Sequence, residues 1–220
     1  MSETLSFPPL MSGEAVTGDA KALADYAGAL FAERLTTMLL HDNPPTEEDQ
    51  LRFIEGFEAE NAKLLVAARG DEIVGMVGFK GHGRPQLRHA GIIGFGVAQP
   101  WRCQGVGLRL LKGLIAWAEA DPLLSRIECD VFATNKAALS LLEKTGFERE
   151  GTMRRAIEVG GEKIDLRGCG DSSADFGDAT WPDWQADVQL ALRWDCPMQA
   201  SPQQPHRTRT PRRQHQPGSA

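Results

Sequence analysis

The stretch VAQPWRCQGVG, residues 97–107, joins an apolar segment to a run of helix-forming residues, LRLLKGLIAWAEA, at 108–120. Two close glycines, Gly105 and Gly107, stand at this junction, where a Ser, Thr, Asp or Asn would ordinarily cap a helix. The first turn of a helix has unpaired N–H groups and a partial positive charge. Bare glycine backbone at such a point predicts a binding loop for an anionic group such as a phosphate.

Two common phosphate-binding motifs do not fit this loop. A P-loop requires GxxxxGK followed by Ser or Thr, and no such Lys-Ser or Lys-Thr pair follows the glycines. A dinucleotide-binding fingerprint requires GxGxxG, and the third glycine position holds Leu110. The sequence therefore disfavours a nucleotide-binding domain. Close packing of a strand on a helix would also use glycine here and stays open as an alternative.

The residues on both sides of the junction predict alternating helices and strands. Apolar residues recur at helical spacing in some segments and form short apolar runs between turn residues in others. Thr46 followed by Asp49 resembles a capping box, which marks a helix start. The segments predict helices at 17–38 and after 46, a hairpin at 64–80, a strand at 91–99, a helix at 106–120, a strand at 126–133, a helix at 134–144 and a hairpin at 154–167. The strand–helix–strand order implies a parallel pair inside a mixed sheet.

Two further glycines, Gly94 and Gly96, interrupt the apolar strand that leads into the junction. Glycine inside a strand often marks a bulge, or a place where another backbone or a ligand comes close; a tight packing site is the simpler alternative. A bulged strand that runs into an anion-binding loop can hold an extended ligand with both amides and phosphates. Coenzyme A has this form, because a pantetheine arm with amide groups follows its pyrophosphate.

The junction resembles the acyl-CoA signature Gln/Arg-x-x-Gly-x-Gly/Ala of the GNAT superfamily of N-acetyltransferases, with Arg102 at its first position and Gly105 and Gly107 at its last two fixed positions. Downstream, ATNKAALSLLEKTGFEREG at 133–151 resembles the next block of that family, in which an Asn precedes a helix that ends in Gly-Phe. Two blocks at the usual separation are a stronger signal than either alone. The resemblance spans roughly residues 5–167.

This resemblance implies an α/β fold with a mixed, mostly antiparallel sheet, helices on both faces, and a cleft for acetyl-CoA where the sheet is splayed between strands 91–98 and 126–132. It implies that loop amides bind the pyrophosphate and that strand backbone and an Asn side chain bind the pantetheine arm. The residues so implied are Phe95, Gly96, Val97, Arg102, Cys103, Gln104, Gly105, Val106, Gly107 and Asn135. Asn135 would also cap its helix.

Two positions bear on the chemistry that the resemblance implies. In members similar to ribosomal-protein alanine acetyltransferases, a carboxylate five residues before the Asn accepts a proton from the amine, and the matching residue is Asp130. A solvated strand face is the plainer interpretation of Asp130. Members often carry a Tyr seven residues after the Asn as a general acid, and this chain has Leu142 there, which cannot donate a proton.

Composition limits the partners and the compartment. The chain has 220 residues and a net charge of −6, so we expect neither nucleic acid nor an anionic membrane as a partner. Its four cysteines and five histidines show no metal-ligand spacing, so we predict no metal site. Reduced thiols fit a cytoplasmic protein.

The chain divides into three parts by composition. We assign an N-acetyltransferase domain to residues 5–168 and an irregular segment, whose role the sequence does not indicate, to 169–196. Residues 197–220 are rich in Pro, Gln and Arg, and they predict a disordered tail because they cannot bury enough apolar surface.

The sequence thus predicts transfer of an acetyl group from acetyl-CoA to a primary amine, on a small molecule or a protein N-terminus. The alternative is a catalytically weak acyl-CoA-binding regulatory module, which Leu142 would favour. A homodimer stays open.

Overall fold

The computed structural model describes residues 9–34, 43–59 and 61–171 of the chain. In chain order these residues form β1 (Leu10–Glu14), α1 (Ala20–Ala32), α2 (Glu47–Glu55), β2 (Ala62–Arg69), β3 (Glu72–Gly81), β4 (Ala90–Val97), α3 (Val106–Ala120), β5 (Arg126–Phe132), α4 (Lys136–Lys144), β6 (Phe147–Val159) and β7 (Glu162–Asp171). Short 3-10 turns lie at Thr17–Asp19, Pro85–Leu87 and Gln99–Trp101. No helix among the described residues is long and apolar enough to cross a membrane.

The strands form one mixed sheet in the order β1-β2-β3-β4-β5-β7-β6, in which β4 and β5 are the parallel pair. Their pairing extends only from Ala90 opposite Arg126 to Ile92 opposite Glu128, although both strands continue beyond this point. The sheet therefore opens between the C-terminal halves of β4 and β5. We call this opening the central gap. The prediction of a mixed, mostly antiparallel sheet splayed at these two strands is confirmed.

Helices cover both faces of the sheet because alternate strand residues point to opposite sides. Phe79 and Ile93 belong to the larger apolar cluster, which includes Leu110 and Leu114 of α3. Leu23 of α1 belongs to a second cluster, which includes residues of α2 and β2. The predicted start of α2 is confirmed: the Thr46 hydroxyl accepts a hydrogen bond from the Asp49 amide at 3.2 Å.

Several predicted boundaries differ from the structure. The first helix ends at Ala32 rather than near residue 38, and residues 35–42 lie outside the described residues. β1 is an additional strand that the sequence analysis did not predict, and β6 begins earlier than the predicted hairpin. β7 continues to Asp171, so the domain extends past the predicted boundary at residue 168. The rest of the predicted irregular segment and the predicted disordered tail lie outside the described residues.

The bulge expected in the strand at 91–98 is not in β4. β4 pairs with β3 in unbroken register from Gly91 opposite Gly81 to Val97 opposite Gly75. The irregularity lies on the other side of β3, where Ala67 and Ala68 of β2 face Gly75 and Ile73, so that Val74 is the extra residue. The glycines of β4 therefore have another cause, and Gly96 shows it below.

Candidate active site

Residues 102–107 form a loop at the start of α3, which we call the phosphate loop. Gly105 is the N-cap of α3 with a φ of 80°, a left-handed conformation that favours glycine, and no side chain caps the helix. The Arg109 amide donates to the Gly105 carbonyl at 3.0 Å as the first helical hydrogen bond, so the amides of residues 106–108 have no partner within the helix. A Cβ atom at Gly105 would meet nothing within 4 Å. The loop therefore presents donors beside open space, as an anion-binding loop requires.

The second glycine of the loop serves a different purpose. A Cβ atom at Gly107 would lie 2.8 Å from Cδ2 of Leu141 in α4 and 3.6 Å from Cγ2 of Val97. Gly107 thus allows α3 and α4 to pack closely beside β4, whereas Gly105 leaves room for a ligand. Close packing therefore explains Gly107, whereas the positive φ explains Gly105, and anion binding at Gly105 stays a prediction.

Two side chains of the phosphate loop form hydrogen bonds that fix its conformation, and a third is exposed. Nε of Arg102 donates to the Val97 carbonyl at 2.9 Å, and its Nη2 lies 2.7 Å from Oε2 of Glu33 at the end of α1. Nε2 of Gln104 donates to the Pro100 carbonyl at 2.7 Å. Cys103 is a free, exposed cysteine with a φ of 58°. The Arg102 side chain therefore ties the loop to β4 and α1.

The backbone of β4 divides its polar groups between β3 and the central gap. The Ala98 amide donates to the Val74 carbonyl at 3.0 Å, and the Ala90 carbonyl accepts from the His82 amide at 3.1 Å. Because hydrogen-bonded positions alternate along an antiparallel pair, even-numbered β4 residues bond to β3, and the odd-numbered Phe95 and Val97 direct their N–H and C=O groups toward the central gap. Gly96, which we also expected to present its backbone, belongs to the β3 side.

Asn135 follows β5 in the chain and is the N-cap of α4. Its Oδ1 accepts a hydrogen bond from the Ala138 amide at 3.1 Å, so it caps α4 as expected. The contact with a pantetheine arm that the resemblance implies for Asn135 stays a prediction.

Asp130 lies on β5, opposite Gly168 of β7. Its neighbours Cys129 and Val131 belong to the cluster that includes α3, so Asp130 points to the other face of the sheet, which it shares with Glu128. Burial raises the pKa of Asp130 to about 6, and the negative charge of Glu128 adds to this rise. A carboxylate with this pKa is ionised at neutral pH and basic enough to take up a proton, as a general base must be.

A network of charges surrounds Glu128, and the sequence analysis did not predict it. Burial would raise the pKa of Glu128, but hydrogen bonds from His82 and Arg126 outweigh it and lower the pKa. Oε2 of Glu128 lies 3.3 Å from Nε2 of His82, and its Oε1 accepts from Nε of Arg126 at 2.6 Å. Arg126 also donates to both carboxylate oxygens of Glu150. The spacing of Arg126, Glu128 and Asp130 along β5 was the available signal, whereas His82 and Glu150 come from distant segments.

Leu142 lies on α4 and is buried among apolar side chains. Its side chain is 1% exposed and belongs to the larger apolar cluster. The position that often holds a general-acid Tyr is therefore filled by a core residue.

We expect Leu142→Tyr to destabilise the fold by about 1–3 kcal/mol, since overpacking and a buried hydroxyl both cost free energy, and to leave the transfer rate unimproved. Urea unfolding measures the first effect. Leu142→Met, which keeps the volume, should cost less than about 1.5 kcal/mol and serves as the control. A Tyr variant as stable as the parent would show that the helix α4 leaves room beside this position.

The arrangement of β4, β5, the phosphate loop and α4 matches known proteins. The profile of the acetyltransferase (GNAT) family matches residues 29–147. The L-amino acid N-acetyltransferase AaaT of Escherichia coli K12 is 32% identical over 103 residues, which cover 47% of this chain and 64% of that protein. The ribosomal protein uS5-alanine N-acetyltransferase of Escherichia coli K12 is 28% identical over 91 residues, which cover 41% of this chain and 46% of that protein.

A solved structure has the same fold over most of its length. The acetyltransferase of the GNAT family from Streptococcus pneumoniae superposes with a TM-score of 0.69 at 27% identity, over 74% of this chain and 98% of that chain. The matched part of this chain spans less than two thirds of the two curated relatives. Because the family profile covers more than half of the 220 residues, the chain belongs to the acetyltransferase (GNAT) family.

Proposed function

We propose that the protein is an N-acetyltransferase that transfers the acetyl group of acetyl-CoA to a primary amine. The observation that carries this proposal is the central gap. There, the backbone groups of Phe95 and Val97 face an opening that ends at the uncapped start of α3 and the open space at Gly105. This combination suits an extended ligand with amides at one end and phosphates at the other.

The residues of the central gap and the phosphate loop fit acetyl-CoA as the acyl donor. The amides of residues 106–108 have the direction and free capacity to bind a pyrophosphate. The Phe95 N–H and C=O and the Val97 N–H can bond the amides of a pantetheine arm along the strand edge, in the manner of an added strand, while the Val97 carbonyl accepts from Nε of Arg102. Bound there, acetyl-CoA supplies an acetyl thioester.

Asp130 is the proposed general base. Its carboxylate takes a proton from the acceptor ammonium or amine, and the nitrogen then attacks the thioester carbonyl carbon. The new C–N bond forms as the C–S bond breaks, and the coenzyme leaves as the thiolate. Donors aimed at the developing oxyanion stabilise it, and an N–H of Phe95 or Val97 that the pantetheine arm does not occupy is proposed for this role.

The acceptor is proposed as a primary amine of an amino acid or of a protein N-terminus. Support comes from the two relatives, of which one is an L-amino acid N-acetyltransferase and the other a ribosomal protein alanine N-acetyltransferase. We place the reaction in the cytoplasm, since Cys103, Cys129 and Cys169 are free cysteines in the described part of the chain, as in a reducing compartment.

The test combines binding and turnover. Calorimetry with acetyl-CoA should show binding, and release of CoA should be followed with L-amino acids, polyamines, aminoglycosides and peptides with an N-terminal alanine. We expect release with at least one of these amines. Binding without release from any amine would favour the regulatory module, and absence of binding would contradict both readings.

A further inference from the structure

Tyr26 carries a buried hydroxyl whose proton has no acceptor in the part of the chain that the structure describes. The residue lies on α1 and is 4% exposed, and its hydroxyl has no hydrogen-bond partner among the described residues. The Met76 backbone lowers the pKa of the phenol slightly, as an N–H group that donates to the hydroxyl oxygen would. Such a bond leaves the hydroxyl proton unused. An unsatisfied buried hydroxyl costs about 1–3 kcal/mol, so packing alone would favour phenylalanine at this position.

The hydroxyl lies directly against β4 at the central gap. A Cβ atom at Gly96 would be 2.7 Å from Oη of Tyr26, so any residue with a side chain at 96 would displace the phenol. This contact explains Gly96 as a tight packing site, which is one of the alternatives that the sequence left open. The residues on either side, Phe95 and Val97, direct their backbone groups into the gap, so the hydroxyl stands over the strand that lines the proposed thioester site.

No other tyrosine is available to this site. The chain contains one tyrosine. The α4 position that the family often fills with a tyrosine holds Leu142, which is buried among apolar residues. The described part of the chain therefore has a single phenol, and it approaches the gap from α1 rather than from α4.

The phenol is suited to donate a hydrogen bond and not to give up its proton. Burial raises its pKa well above the usual range, whereas the positive charge of Arg102 opposes this and the negative charge of Glu33 adds to it. Burial therefore favours the protonated hydroxyl, which can donate a hydrogen bond.

We propose that the Tyr26 hydroxyl donates a hydrogen bond to the acetyl thioester and stabilises the negative charge that develops there during transfer. This inference rests on the proposed function of the central gap. No proton leaves Tyr26: the amine proton passes to Asp130, and the departing thiolate is protonated by solvent after release. A preorganised donor of this kind lowers the barrier because it needs no reorganisation when the charge appears.

The single tyrosine makes a direct test feasible. Protein labelled with ¹³Cζ-tyrosine gives one phenol signal, and its shift responds to hydrogen bonding of the hydroxyl. We expect the signal to move when acetyl-CoA is added and to stay in place with adenosine 3′,5′-bisphosphate, which lacks the pantetheine arm. An unmoved signal at calorimetric saturation with acetyl-CoA would overturn the inference. Absence of binding in that same calorimetry would instead contradict the proposed function.

A variant gives a second, independent readout. Tyr26→Phe removes only the hydroxyl, so the free energy of unfolding should be unchanged or raised, because the unsatisfied group is gone. The affinity for acetyl-CoA should change little, while kcat with the best amine of the panel should fall about 10²–10³-fold, the loss typical of one oxyanion donor. A variant with the parent kcat would overturn the inference. If the variant fails to fold, the ¹³Cζ signal of the labelled parent protein still tests the inference.

Discussion

Replacement of Gly105 by Glu is expected to weaken acetyl-CoA binding about 10³-fold. A Glu side chain at this position enters the space that is empty in the structure, beside the amides of residues 106–108. Two like charges about 4 Å apart repel by about 4 kcal/mol at an effective dielectric constant near 20. Since about 1.4 kcal/mol corresponds to a factor of ten, this repulsion accounts for the expected loss.

The matched control is Gly105→Gln. It separates the effect of the Glu charge on acetyl-CoA affinity from the effects of side-chain size and backbone strain. Both substitutions place a side chain of the same length on a residue with a φ of 80°, so both carry the same strain of about 1–2 kcal/mol in the folded protein. Circular dichroism should show the parent fold in both variants. Calorimetric titration should then show a much weaker affinity for the Glu variant than for the Gln variant. Equal affinities in the Glu variant and the parent would place the phosphates elsewhere.

The position of the phosphate loop at the start of α3 was predictable because its sequence signal is local. A pair of glycines between an apolar strand and an amphipathic helix can be read from adjacent residues, and Gly105 does lie at the open N-cap. The same pattern did not separate Gly105 from Gly107, because the neighbour of Gly107 is Leu141 on another helix. The sequence shows where a side chain is absent. Why glycine is needed there depends on the residues that tertiary packing places beside it.

The helices and strands with a strong periodic pattern of apolar residues were predicted. The edge strand β1, which has no such pattern, was not. β1 has the sequence LMSGE and is mostly exposed, so it shows no alternation of apolar and polar residues. It is held by pairing with β2 and by Arg109 of α3, whose guanidinium donates to the Leu10 carbonyl at 3.0 Å. Both partners are distant in sequence, and no local signal reports them.

The electrostatics of the site depend on the same long-range contacts. Asp130 was predictable as a candidate base from its place before Asn135, but its pKa was not. That value depends on burial and on Glu128, whose charge is held by His82 from the segment after β3 and by Arg126. The sequence shows that residue 130 is a carboxylate, but its pKa depends on contacts that form only in the folded protein.

Asp130→Asn is expected to lower kcat/KM for the amine about 10²–10⁴-fold, the usual contribution of a general base. Acetyl-CoA affinity should be unchanged, because the phosphate loop and the strand edge of β4 are intact. In the parent, kcat/KM should fall as the pH drops through about 6, where the Asp130 carboxylate becomes protonated. The Asn variant should lack this acidic limb.

Glu128→Gln provides a companion measurement. Loss of the negative charge beside Asp130 lowers the pKa of Asp130, so the acidic limb should move to lower pH while transfer itself continues. Asp130→Asn should therefore remove the acidic limb of the pH profile of kcat/KM, whereas Glu128→Gln should move it to lower pH. A limb that stays in place in Glu128→Gln would assign it to another group.

Stability provides the check that Asp130→Asn is folded. The pKa of Asp130 is raised from 3.8 to about 6 in the folded protein, so its contribution to stability is present below the unfolded value and is lost as the pH rises through the folded value. The Asn variant lacks this loss, and its free energy of unfolding at pH 8 should equal or exceed that of the parent. A slow variant that is also stable at pH 8 has lost the proton acceptor, not the fold. Parent-like kcat/KM across pH 5–9 would remove Asp130 from the mechanism and leave water as the proton acceptor.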